Sequence, residues 1–165
     1  SAHVALRAAG ERFGYPELAQ LLRRRADANA DAYAGQMREL FRRMVFNILI
    51  DNTDDHEKNH VLLVTATQHY ELSPAFDVLP SGQALGYQQM RVGTAEADAT
   101  LDNAMSMYQA FALKKDAAAA EVRQVIAAVA TWQPHFAACG VSQSDLALLA
   151  EQIDRPFLKQ QRDNF

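Results

Sequence analysis

NTDDHEKNHVLL, residues 52–63, is the stretch on which the reading of this chain turns. Upstream, residues 31–50 place Tyr33, Met37, Leu40, Phe41, Met44, Val45, Ile48 and Leu49 at steps of three and four. That is the period of a helix with one buried stripe. The period stops at Asp51, and five polar residues in a row, 51–55, form a segment that must be exposed or functional. Downstream, Val61-Leu62-Leu63-Val64 is apolar and partly β-branched, TATQH supplies a connector, and Tyr70-Glu71-Leu72 alternates. The pattern predicts a short β-hairpin, which Ser73-Pro74 ends because proline brings no donor to a ladder. The polar loop is therefore held between a long helix and a small hairpin.

Away from this centre the signals are mostly helical. A shorter helix begins at Pro16, a residue suited to a first helical turn, and runs through Leu18, Leu21 and Leu22. Residues 80–99 carry Gly82, Gly86 and Gly93 without a sustained period and read as a long loop. Helices are predicted over 101–113 and over 117–139, the second stopped by Gly140. Ser142-x-x-Asp145 fits a capping box that opens a helix through Leu146, Leu149 and Ile153, continuing past Pro156 or restarting there. The fold class is mainly α with one β-hairpin, and Tyr33, Phe41, Trp132 and Cys139 read as core.

A chain of 165 residues, 49% hydrophobic and 22% charged, holds one substantial core and one domain. A net charge of −4 gives no electrostatic footprint for a phosphate backbone, so no direct nucleic-acid contact is expected. Arg23-Arg24-Arg25 reads as a solvated helix end. One cysteine excludes an internal disulfide and fits a reducing compartment. No apolar stretch approaches the roughly 20 residues that span a bilayer, and the expected location is cytoplasmic, without membrane contact. The opening Ser1-Ala2, without an initiator Met, suggests that the natural chain extends further upstream.

Two chemistries compete for residues 52–63. From His56 the stretch reads HExxH, in which a helix sets both histidines on one face to bind zinc while the glutamate activates water. Turn-forming residues precede it and a strand pattern follows it, and the longer form of the motif would need glycine and histidine where Leu63 and Ala66 stand. From Asp54 the stretch reads as a carboxylate followed five residues later by the amide Asn59. Phosphoryl transfer needs a carboxylate to accept the proton of the attacking hydroxyl and oxygen ligands for magnesium, and the protein-kinase loop HRDxxxxN has this separation. A second magnesium carboxylate is expected just after a following hairpin, where Asp77 stands in LSPAFDVLPS. Lys58 adds a cation that can neutralise charge on a transferred phosphoryl group. Three groups at the required places outweigh a lone five-letter motif.

At these residues the chain resembles the HipA family of bacterial toxin kinases. FNILIDNTDDHEKNHVLL looks like that family's catalytic loop with its lead-in helix, and YELSPAFDVLP like its counterpart of the DFG segment. YQQMRVG and DATLDNAMSMYQAFAL are also similar to its C-terminal region. The resemblance implies the helical C-terminal lobe of a protein-kinase-like fold, with the small hairpin beside the catalytic loop. It makes Asp54 the catalytic base, Asn59 and Asp77 the magnesium ligands, and Lys58 a phosphate contact. His56 belongs to the family's loop pattern, with loop anchoring through hydrogen bonds as its expected role. Asp55 and His60 read as ordinary loop polar residues, so that replacing His60 should change activity only a few-fold. Arg91 is left without a role.

The resemblance further implies ATP and Mg2+, Ser/Thr phosphorylation of a protein, with aminoacyl-tRNA synthetases as family targets, and a block on tRNA charging that halts growth. The implied partner is a helix-turn-helix antitoxin, HipB-like, which carries the DNA contact. A complete kinase also needs a strand-rich lobe with a glycine-rich segment and a phosphate-pairing lysine. Neither pattern occurs in this sequence, so residues 1–165 are expected to be one lobe of a larger protein and inactive alone. A kinase-like lobe that only binds or regulates is the rival reading, and a zinc peptidase the third.

Overall fold

The predicted long helix, whose apolar stripe organises the core, is α2 (Ala30–Leu49) in the computed structural model, which describes residues 13–25 and 30–165. Met37, Leu40, Phe41, Met44, Val45, Ile48 and Leu49 are all buried along it. α1 (Tyr15–Arg25) and α4 (Lys115–Ala130) pack on this helix, α1 through Leu18 and Leu22 and α4 through Ala118, Val122, Val125 and Val129. The Phe41 ring meets the edge of Phe111 at 5.2 Å. Arg42 and Arg38 both reach Glu121 of α4, at 2.5 and 3.0 Å, and so pair a carboxylate buried in that seam.

The hairpin forms as predicted. β1 (Leu62–Val64) runs antiparallel to β2 (Tyr70–Leu72), with Leu62 opposite Leu72 and Val64 opposite Tyr70. Residues 80–99 contain only isolated bridges, among them a parallel one between Gly14 and Arg91. Gly14 is needed there, since a Cβ on it would lie 2.4 Å from the Cβ of Arg91. Tyr15 N donates to Arg91 O at 2.9 Å, which fixes the start of α1 against this loop.

Three expectations need correction. The helix expected over 101–113 splits into α3 (Leu101–Ser106) and a 3-10 turn, Tyr108–Phe111. Ser106 Oγ donates to Asn103 O at 2.6 Å, the carbonyl that residue 107 would need to continue the helix. The helix expected over 117–139 breaks at Thr131, and α5 (Trp132–Ala138) starts afresh. Pro134 is the reason: its ring would collide with the carbonyl of Ala130 in a continuous helix, and it offers no N–H. The break turns Trp132 into the core but leaves Cys139 exposed rather than buried.

After Gly140, whose φ of 88° is left-handed, Ser142 Oγ accepts from Asp145 N at 3.2 Å and caps α6 (Gln143–Ile153). α7 (Pro156–Asn164) restarts with proline in its first turn. The exposed Arg23, Arg24 and Arg25 end α1, where positive charge suits the helix dipole. Among the described residues no helix is long and apolar enough to cross a membrane.

Candidate active site

Asp51, two residues beyond the end of α2, takes a left-handed φ of 62° and turns the chain out of the helix. It does not become exposed. Asp51, Asn52, Thr53 and Asp55 are 1, 2, 1 and 3% exposed, whereas Asp54 between them is open to solvent. Each buried member has partners. Asp51 Oδ1 lies 2.7 Å from Arg155 Nη2, and its Oδ2 accepts from Ala84 N at 3.2 Å. Asn52 Nδ2 donates to Asn47 Oδ1 at 3.1 Å, and Thr53 Oγ1 shares a 2.5 Å hydrogen bond with Ser81 Oγ. The backbone joins in, with Ser81 N donating to Asp51 O at 3.0 Å. The loop is thus sewn to the segment that follows Asp77.

That stitching places Asp54, Asn59 and Asp77 around one cavity of about 200 Å³, together with Asn52, Pro80 and Ser81. Asp77 has a left-handed φ of 56°, uncommon for a residue with a side chain, and is exposed. Asp54 Oδ1 accepts from Gln89 Nε2 at 2.8 Å. Lys58 is exposed on the 3-10 turn Glu57–Asn59 and is not among the lining residues, so the structure groups three of the four predicted site residues. A larger and mostly apolar cavity of about 480 Å³ lies beside the first and shares only Asn59 with it. The oxygen-rich chemistry belongs to the smaller one.

The helix that HExxH requires is missing. His56 is extended, at φ −134° and ψ 170°, residues 57–59 form a single 3-10 turn, and His60 leaves it at φ −114°. His60 Nε2 is committed to Asp55, 2.9 and 3.1 Å from the two carboxylate oxygens. Among the described residues no group of three or more His, Cys, Asp or Glu side chains is placed to hold a metal ion.

Anchoring of the loop falls to different residues from those expected. The buried Nδ1 of His56 has no hydrogen-bond partner among the described residues. Asp55 and His60, read as ordinary loop residues, are instead both interior, with side chains 4% exposed. Tyr15 OH donates to Asp55 Oδ2 and accepts from Asn47 Nδ2 at 3.0 Å, and its ring meets His60 edge-on at 5.3 Å. Burial first, and then the charge of Asp55, push the Tyr15 phenol well above its ordinary pKa of 10.0. Arg91 is engaged by Glu17 at 2.7 Å and by Gly93 O at 3.2 Å, so it braces α1 against its loop.

Residues 1–132 match the HipA-like C-terminal domain family. The chain belongs to that family. No curated protein matches it. Its fold is similar to that of HipA from Shewanella oneidensis MR-1, solved in a toxin–antitoxin complex of HipA, HipB and its operator DNA, with a TM-score of 0.67 and 13% identity. The similarity covers 92% of this chain and 35% of that one, so the chain spans about a third of its structural neighbour.

The donor set of this HipA-like domain suits a magnesium–phosphate group. Two carboxylates, Asp54 and Asp77, and three amides, Asn52, Asn59 and Gln83, line the cavity, with no thiolate, imidazole or basic side chain among the lining residues. Magnesium prefers such oxygens and normally completes its shell with water and phosphate. Two carboxylates in one small cavity, with no cation among its lining residues, also attract one electrostatically. Spacing along the chain pointed to Asp54, Asn59 and Asp77. Gln89 and Tyr15 were missed, since each reaches the loop from tens of residues away.

Proposed function

We propose that this chain is the catalytic C-terminal lobe of a HipA-like Ser/Thr protein kinase, which transfers the γ-phosphate of ATP to a protein hydroxyl. The observation that carries this reading is selective exposure: four of the five polar residues 51–55 are buried and bonded, while Asp54 alone projects beside Asn59 and Asp77. A turn that merely joins a helix to a hairpin has no need to bury its polar neighbours and present one carboxylate next to another.

In this reading Asp54 accepts the proton of the attacking hydroxyl as that oxygen bonds to phosphorus and the bond to the β-phosphate oxygen breaks. Gln89 holds one oxygen of Asp54 and leaves the other for the hydroxyl. Asn59 and Asp77 hold magnesium, which when bound supplies positive charge against the phosphate oxygens. Lys58, next to Asn59 in sequence, contributes a phosphate contact. The glycine-rich segment and phosphate lysine belong to a smaller lobe outside this chain, and the lobe by itself is expected to be inactive. Exposed Val61, Leu63, Val64, Phe76 and Leu79, on the hairpin and around Asp77, offer the apolar surface against which the smaller lobe packs.

The same reading assigns a HipB-like helix-turn-helix antitoxin as partner, supported by the HipB found with the Shewanella neighbour. The acidic balance of this chain agrees with a DNA contact made by that partner. The substrate class is a protein with an accessible Ser or Thr, an aminoacyl-tRNA synthetase being the expectation from the family.

The test is transfer from labelled ATP by the full-length protein, wild type beside Asp54→Ala, with and without magnesium. Magnesium-dependent labelling that Asp54→Ala lowers by roughly a hundredfold or more, with ATP still bound, is the expected result. A folded wild type that binds ATP and its partner but transfers nothing would instead make this lobe a binding module.

A further inference from the structure

We infer that Asp55 and His60 form an internal staple, hung from Tyr15, which sets the distance between Asp54 and Asn59. The inference rests on the kinase reading above and names positioning residues for it. Asp55 follows Asp54, and His60 follows Asn59. The two residues that flank the functional pair on its C-terminal sides are thus the two that meet underneath it, at 2.9 and 3.1 Å. Only the 3-10 turn Glu57–Asn59 and His56 lie between, so closing the Asp55–His60 contact fixes the span of the loop from beneath.

The proton arrangement of this staple follows from its partners. The carboxylate of Asp55 accepts, so His60 Nε2 carries the hydrogen that it donates. Tyr15 OH donates to the same carboxylate, and Asn47 Nδ2 completes the tyrosine oxygen at 3.0 Å. Tyr15 and Asn47 belong to the start of α1 and the last turn of α2, both in the core. The loop is therefore tied to two rigid helices through one carboxylate, with the His60 ring further confined edge-on against Tyr15, at 79° between planes. Supports of this kind orient the groups that touch a metal without touching it themselves.

A polar pair buried only for stability would leave the metal requirement of surviving enzyme unchanged. A staple moves Asn59 relative to Asp54 when it is cut, and so raises the magnesium needed.

The experiment is a magnesium titration of phosphate transfer by the full-length protein, comparing wild type, His60→Phe and His60→Gln, with melting temperatures recorded alongside. His60→Phe keeps a ring against Tyr15 but loses the donor, whereas His60→Gln restores one. The expected result for His60→Phe is a half-saturating magnesium concentration raised about ten- to a hundredfold, with a lower kcat and a little-changed KM for a protein substrate. His60→Gln should recover most of both. Should His60→Phe not fold, Asp55→Asn, which keeps the acceptor for Tyr15, is read in the same way. An active wild type whose variants show unchanged magnesium dependence would overturn the staple and leave the kinase reading standing. A folded wild type without transfer would overturn both.

Discussion

Arg155 reaches back 104 residues to Asp51, its Nη2 2.7 Å from the carboxylate that turns the chain out of α2. Arg155 lies beyond the residues that match the family, yet it supports the residue from which the candidate loop departs. Its side chain also stacks on Phe157, 4.9 Å from the ring centre, which holds the guanidinium in place. Arg155→Met should leave a carboxylate that is 1% exposed without its cation. We expect a loss of about 3 kcal/mol in urea unfolding, the usual cost of breaking one side of a buried pair. Asp51→Asn should cost less, because a neutral amide tolerates burial better.

Gln89 is the side chain placed to orient Asp54, at 2.8 Å from Oδ1. Its neighbours Gln88 and Met90 are buried, and the backbone of Gln88 donates to Ala97 O at 2.7 Å, so the amide is presented from a fixed segment. Gln89→Leu preserves bulk and removes the donor. Losing a hydrogen bond to a charged group should lower kcat roughly tenfold in the full-length protein, with KM for ATP little changed. Equal losses in kcat and ATP affinity would place Gln89 in substrate binding instead.

Asp77 combines an exposed carboxylate with a left-handed backbone, and the two properties can be separated. Asp77→Asn keeps a residue type that tolerates this φ and removes the charge. It should weaken magnesium-dependent nucleotide binding by calorimetry at least about tenfold while the melting temperature holds. Asp77→Gly relaxes the backbone and should lose binding equally, with no loss of stability from strain. Unchanged nucleotide binding in both would remove Asp77 from the site.

The parts of this structure legible in the sequence are those written locally. The three-and-four spacing of Met37 through Leu49 required a helix, and the alternation around Tyr70 with Pro74 behind it required a short hairpin. The shared cavity of Asp54, Asn59 and Asp77 followed from spacing on a helix, loop and hairpin that were themselves legible. Asp55 and His60 escaped because what distinguishes them is a tyrosine 40 residues before Asp55, and nothing in a run of polar residues tells a buried member from an exposed one. The five polar residues after α2 carry the same composition whichever of them faces water. Only contacts with Ser81, Ala84 and Arg155, made after the chain has returned, decide it. The break at Thr131 is a different case, because Pro134 stood in the sequence and its missing N–H and colliding ring apply without any tertiary contact.

Tyr15 gives the loop a pH limit whose sign can be worked out. Its phenol is pushed well above the ordinary 10.0 by burial and by the Asp55 carboxylate, only partly opposed by the hydrogen bond from Asn47 and the charge of Arg43. His60, with its ring T-shaped to that of Tyr15 at 5.3 Å, completes the surroundings. The folded chain therefore holds this proton more tightly than the unfolded one. Its contribution is fully present below pH 10.0, where both states are protonated, and is lost as pH rises from there through the folded value. Above that onset the wild type should lose about 1.4 kcal/mol of stability per pH unit from this group alone. Tyr15→Phe has no such proton to lose. It should be less stable at neutral pH, because Asp55 and Asn47 lose a partner, and should show a shallower alkaline decline. Urea unfolding of both proteins across the alkaline range measures the difference, in which the titration of other groups cancels. Parallel declines would mean that ionisation of Tyr15 does not separate the folded from the unfolded chain.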